Sequence, residues 1–149
     1  MILGYSTQDF SESKLKELLE IVTRQNTQWF LAELAEGRRP PLSSHDAGIK
    51  YCPDTAGQQI IFKDASDLLD SGVGSCGSIA AYDAAGRRAW AIHRRRTSPP
   101  VACGRYKVAL IRRPGAENIE YWHAVVHAEG KTFDPTRALE QICPTPSYS

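Results

Sequence analysis

The order of elements along the chain predicts an α+β domain with an antiparallel sheet. Three observations carry that prediction. A long apolar stripe at helical spacing lies near the start, a helix of small residues occupies the middle, and three extended runs follow it.

The first helix is expected over residues 10–36. Leu15, Leu18, Leu19, Val22, Trp29 and Leu34 recur at three- and four-residue steps and so share one face. Either Ser11 or a capping box of Asp9 with Glu12 supplies its start, and Gly37 followed by Pro40-Pro41 ends it. Residues 42–59 read as loop, with a short extended piece at Ile49-Lys50-Tyr51. Ile60-Ile61-Phe62 leads into a short helix over residues 64–70. A glycine-bearing loop, Ser71-Gly72-Val73-Gly74-Ser75, then delivers Cys76 to a small-residue helix over 77–85, where alanine favours the helix and permits close packing. Residues 87–96 fit either a continuation or a break, and Thr97-Ser98-Pro99-Pro100 reads as a stop. Strands are expected over 106–111, 119–128 and 131–133, the last two joined by a tight Glu129-Gly130 turn.

A chain of 149 residues makes one compact domain. Within it, residues 1–40 form an N-terminal helical segment, 48–139 the core and 143–149 a tail. No apolar run approaches the ~20 residues that span a bilayer, so no membrane association is expected. The N-terminus has no basic start and no long apolar stretch, so no signal peptide is read there. The net charge of +1 gives no overall pull on nucleic acid. Its distribution is uneven: from Arg87 to Arg113 nine Lys and Arg occur with no Asp or Glu. Two readings stay open, a basic face for phosphates or an acidic partner, and a solvated loop and strand edge. The second is favoured, because no aromatics interleave in a stacking pattern.

Cys52, Cys76, Cys103 and Cys143 form no CxxC pair, which argues against a metal site. Without a signal peptide a disulfide framework is not expected either, which leaves mainly free thiols. Cys76 stands out. It opens a helix behind a flexible loop, with Ser75 a good N-cap, and a helix N-terminus favours an anion. Such a position raises the thiolate fraction and offers backbone N–H groups to an oxyanion. Cys52, Cys103 and Cys143 have no such setting and read as structural or incidental.

The run from Trp122 to Thr136 supplies a base. With Glu129-Gly130 as the turn, Ala128 faces Lys131, His127 faces Thr132 and Val125 faces Asp134. Alternation then places His123, Val125, His127, Thr132 and Asp134 on one face, with Asp134 diagonal to His123. A carboxylate there would fix the imidazole tautomer. His127 shares the face and stays a competitor, although its place beside the turn reads as solvent-facing. Asp134-Pro135-Thr136-Arg137 also reads as the capped start of a short helix over 136–141.

Gly-x-Gly-x-Cys at a helix start, His123-Ala124-Val125-Val126 on a strand and Phe133-Asp134-Pro135-Thr136-Arg137 after the next strand together resemble the transglutaminase-like superfamily. More narrowly they are similar to the small transglutaminase-like proteins encoded in tailed-phage genomes and prophages. The lead-in Gly48-Ile49-Lys50-Tyr51 and the short helix at 67–72 match as well, so the likeness covers residues 48–139. It implies a papain-like layout, the cysteine helix packed on a small antiparallel sheet that carries the histidine. It further implies Cys76 as nucleophile, His123 as base and Asp134 as the residue that orients it, with no cofactor. The pattern departs at one place: relatives often flank the cysteine with acids, as in Gly-Asp-Cys-Glu-Asp, where this chain has Gly74-Ser75-Cys76-Gly77-Ser78.

Two functions of different class are therefore expected. One is cysteine-dependent acyl transfer on protein or peptide amides, ending in hydrolysis or in cross-linking. The other is a structural or adaptor component of a virion, contacting other phage structural proteins, that keeps the fold with little turnover. The corresponding location is cytoplasmic or virion-associated.

Overall fold

A computed structural model describes residues 2–5, 11–53, 60–114 and 120–144. Among the described residues, four helices and several small sheets make a mixed α+β domain. The elements are β1 (Ile2–Tyr5), α1 (Glu12–Ala35), β2 (Lys50–Tyr51), β3 (Ile60–Lys63), α2 (Ala65–Ser71), β4 (Val73–Gly74) and α3 (Cys76–His93). There follow α4 (Pro99–Arg105), β5 (Tyr106–Pro114), β6 (Glu120–Ala128), β7 (Lys131–Phe133) and a 3-10 turn at Pro135–Ala138.

Helix α1 begins at Ser11, whose hydroxyl accepts from Lys14 N–H at 3.1 Å. Asp9, the other capping candidate, lies outside the described residues. Its stripe buries Leu15, Leu19, Val22 and Leu34 as expected, while Phe30 fills the place read for Trp29, which is half-buried. Each fully buried side chain of that size stabilises the fold by about 1.5–3 kcal/mol.

Helix α3 is the axis of the structure. Ala80, Ala81 and Ala84 pack with Leu15, Leu19 and Val22 of α1, Phe62 of β3, and Ala124 and Val126 of β6. Its opposite face carries Ile79, Tyr82, Ala85 and Ala89 against Phe30, Ile49 and Leu68. Residues 77–86 of α3 are buried at every position, and small side chains let so many neighbours reach them. Gly86 shows how close they come: a Cβ there would stand 1.8 Å from the Leu42 carbonyl oxygen.

The main sheet is antiparallel, in the order β5-β6-β7, and lies against α3. Its hairpin has the expected register, Ala128 opposite Lys131 and His127 opposite Thr132. Glu129 and Gly130 both take positive φ, 51° and 81°, the geometry of a two-residue hairpin turn. A second pair, β1 with β3, is antiparallel; β2 and β4 pair in parallel. No described helix is long and apolar enough to cross a membrane.

Several expectations need correction. Thr97-Ser98-Pro99-Pro100 is the start of a helix rather than a stop: α3 ends earlier, at His93, and Pro99 opens α4 behind Ser98, because proline at the first helical turn has no N–H to lose there. The Arg87–Arg113 run is not uniformly solvated, since α3 continues to His93 and turns Arg88 inward. Arg88 is 1% exposed and pairs bidentately with Glu20 at 2.9 Å, while its other N–H groups bond the Tyr106 and Cys103 carbonyls. Cys52 and Cys143 are not free: they form a disulfide with Cα atoms 4.9 Å apart. Folding brings the 140–142 segment alongside β2, which places the two sulfurs together although 91 positions separate them. Cys76 and Cys103 are the free thiols. The helix expected over 136–141 is shorter, the 3-10 turn at Pro135–Ala138.

Candidate active site

Cys76 is the first residue of α3 and is half-buried. The loop before it is narrow for steric reasons. A Cβ on Gly74 would meet Leu68 at 2.5 Å and one on Gly77 would meet Phe62 at 2.4 Å, so both positions need glycine to seat the cysteine. Ser75 is the N-cap residue in extended conformation, yet its hydroxyl makes no capping bond and is buried without a partner. The backbone N–H groups of the first turn of α3 therefore have no side-chain acceptor from Ser75, and they point out of the helix end beside the thiol.

His123 sits on β6 opposite Ile111 of β5 and is 5% exposed. Its Nε2–H donates to Asp134 Oδ2 at 2.8 Å. With Nε2 committed, Nδ1 is the ring nitrogen open to the thiol. Burial alone would push the imidazole down. The Asp134 hydrogen bond, a hydrogen bond with Cys76 and attraction to both groups outweigh it and hold the imidazole at about 9. Histidine at that value is protonated at neutral pH.

Asp134 follows β7 and divides its two oxygens between tasks. Oδ1 accepts from Thr136 N–H at 3.0 Å and Thr136 Oγ1–H at 2.7 Å, capping the 3-10 turn. Oδ2 accepts from His123 and from Arg113 Nη2–H at 3.3 Å. Burial would raise this carboxyl, but the bonds from His123 and Thr136 and the charge of His123 hold it at about 2. One side chain thus caps the 3-10 turn and hydrogen-bonds the His123 ring.

The structure brings Cys76, His123 and Asp134 together and leaves His127 apart. His127 faces Thr132 next to the turn and Lys107 on the other side. Two contributors were not singled out from sequence. Thr136 had a usable signal, since an Asp-Pro-Thr start implies a side chain–backbone bond two residues on. Arg113 had none, because inside a run of arginines nothing marks the one that turns toward a carboxylate. Among the described residues no group of three His, Cys, Asp or Glu side chains is placed to hold a metal ion.

A cleft of about 440 Å³ adjoins the site on the Asp134 side, between the 42–46 loop, α3 and the 3-10 turn. Leu42, Trp90, Phe133, Pro135 and Ala138 give it apolar walls. Arg87 lies over the Phe133 ring at 4.7 Å. Asp83 borders it too, buried and bonded by Ser44 N–H at 2.6 Å and Ser44 Oγ–H at 2.9 Å. Burial raises that carboxyl to about 6, against the lowering pull of both Ser44 bonds. Neither Cys76 nor His123 lines this cleft, so it adjoins that pair without containing it.

No family model, curated protein or solved structure matches this chain.

Proposed function

We propose that the protein is a cysteine-dependent acyl-transfer enzyme of transglutaminase-like type, acting on protein or peptide amides. The observation that carries the reading is the chain of contacts Cys76–His123–Asp134, the thiol at a helix N-terminus and the imidazole held by a half-buried carboxylate.

In this scheme the attacking species is the Cys76 thiolate, with His123 as the acid–base partner beside it. The thiolate attacks the carbonyl carbon of a carboxamide, and the N–H groups at the start of α3 hold the oxygen that becomes negative. Collapse of the tetrahedral species expels an amine or ammonia, which takes its proton from His123. A thioester on Cys76 remains. Water or a primary amine, deprotonated by His123, then attacks the thioester and releases an acid or a new amide. Asp134 keeps the ring in register through both half-reactions. The apolar cleft beside Asp134 provides a place for a substrate side chain at a distance from the attacked bond.

The test is the pH dependence of Cys76 alkylation, resolved by peptide mass spectrometry. Fast alkylation well below pH 8, lost in His123→Ala, is expected. A glutamine-containing peptide with and without a primary amine then separates hydrolysis from amine incorporation. Alkylation of Cys76 at the rate of an ordinary thiol, unchanged by His123→Ala, refutes the reading and favours a non-catalytic virion component.

A further inference from the structure

Because α3 continues to His93, Trp90 shares one stripe with Arg87 and with Arg94, the residue that closes the helix. Within the Arg87–Arg113 run the side chains divide. Arg88 is buried and paired with Glu20, whereas Arg87, Arg94, Arg95 and Arg96 are exposed. Among the described residues no carboxylate forms an ion pair with any of these four. Trp90 stands among them 41% exposed, with the Arg94 guanidinium 5.3 Å from its ring centre and the His93 ring at 6.0 Å. The basic run thus has an aromatic between its cations, at a spacing that only the helical continuation creates.

The end of the helix adds a second observation. Arg96 N–H donates to Ala91 O at 2.9 Å and Arg95 N–H to Ile92 O at 3.0 Å, the paired bonds of a Schellman motif. That motif puts its closing residue in the left-handed region, and Arg95 takes φ 54°. Glycine sits there without strain and arginine does not. The negative end of α3 favours a cation nearby, which Arg94 already supplies. Arg95 therefore adds charge to this corner against its backbone preference.

The charge along the stripe is not uniform. Arg87 lies over Phe133 and feels the buried Asp83 carboxyl, and Asp46 borders the same cleft as Arg87 and Trp90. Those acids repel a phosphate from the cleft, so a polyanion is drawn to the Arg94–Arg96 end.

We propose that the Trp90 face of α3, continued by Arg94, Arg95 and Arg96, is a binding surface for single-stranded nucleic acid. An unpaired base stacks on the open part of the Trp90 ring, and the arginines take the neighbouring phosphates. An acidic polypeptide would engage the arginines and leave the ring idle, so nucleic acid is the better match. The surface lies about 21 Å along α3 from Cys76, at 1.5 Å per residue, and is independent of what the thiol does.

The experiment titrates a fluorescein-labelled oligothymidylate with the full chain and follows anisotropy across a salt series. Binding is expected with a log–log salt slope of about −3, as four arginines on a single strand give. Trp90→Ala should weaken it about tenfold through lost stacking. Arg95→Gly should weaken binding and raise the urea midpoint together, since glycine relieves the left-handed position. Circular dichroism reports whether each variant keeps its fold. If Trp90→Ala does not, Trp90→Leu takes its place, with apolar bulk but no stacking face. Absence of binding at low salt overturns the proposal. So does binding that the Trp90 variant leaves unchanged and that polyglutamate displaces as well as unlabelled oligothymidylate does, which marks the surface as one for acidic protein.

Discussion

Replacing Asp134 with asparagine keeps the shape of the side chain and removes its charge, which isolates what the carboxylate does for His123. The imidazole is held at about 9 against an ordinary 6.5, and at roughly 1.4 kcal/mol per pH unit this is about 3 kcal/mol. From the other end, the carboxyl lies at about 2 against 3.8, about 2 kcal/mol. The two figures differ because the imidazole also feels Cys76 and the carboxylate also accepts from Thr136. Burial opposes both shifts, so each figure is a net value; on the scale of the smaller, about 2 kcal/mol, Asp134→Asn should lower the His123 titration by about 1.5 pH units. The sign for stability follows. A raised histidine adds stability fully present below 6.5 and lost as pH rises through about 9; the depressed carboxyl adds stability present above 3.8 and lost as pH falls towards 2. The assay is an NMR titration of the His123 imidazole in both proteins, with urea unfolding at pH 6 and pH 9.5. A wild-type His123 that titrates at or below 6.5, or an unchanged titration in Asp134→Asn, refutes the reasoning.

Other perturbations test the scaffold around the site. Asp83 is raised from 3.8 to about 6 by burial, so its contribution is fully present below 3.8 and is lost as pH rises through 6; Asp83→Asn should flatten the stability curve between those values, and parallel curves for the two proteins would contradict this. Gly86→Ala forces a Cβ to within 1.8 Å of the Leu42 carbonyl oxygen and should cost about 3 kcal/mol in urea unfolding, with a loss below 1 kcal/mol showing that the 42–46 loop yields freely. Arg88→Met removes both bonds to Glu20 and two to backbone carbonyls. Because Glu20 is about one-third exposed and can regain water, the loss should fall near the low end for a broken buried pair, about 3 kcal/mol. A double-mutant cycle with Glu20→Gln measures it, and a coupling near zero would show that the carbonyl bonds dominate.

What was legible in the sequence was local. The Glu129-Gly130 turn fixes its own register, so the pairing of His127 with Thr132 follows from adjacent residues. Alternation along β6 then separates His123 and Val125 from Ala124 and Val126, which pack into the core against α3. The stripe of α1 and the small residues of α3 also declare themselves by periodicity. What was not legible depends on partners distant along the chain. Strand β1 was not anticipated, because its pairing partner β3 lies beyond α1 and the whole 36–53 stretch. The Cys52–Cys143 bond depends on the 140–142 segment returning to β2, and no local pattern encodes that return. Arg88 looks like its neighbours in a basic run, and only the position of Glu20 on α1 turns it inward. The choice between His123 and His127 needed the depth of the strand as well as its alternation.

The division of labour within Asp134 has a consequence for how this protein can change over generations. One oxygen shapes the Pro135–Ala138 turn through Thr136, and the other steadies the imidazole. Losing His123 would forfeit its bond to Asp134, whereas losing Asp134 would forfeit that bond and the cap on the Pro135–Ala138 turn together. The aspartate is thus the member expected to outlast the others, and its presence in a divergent chain says less about activity than the histidine does.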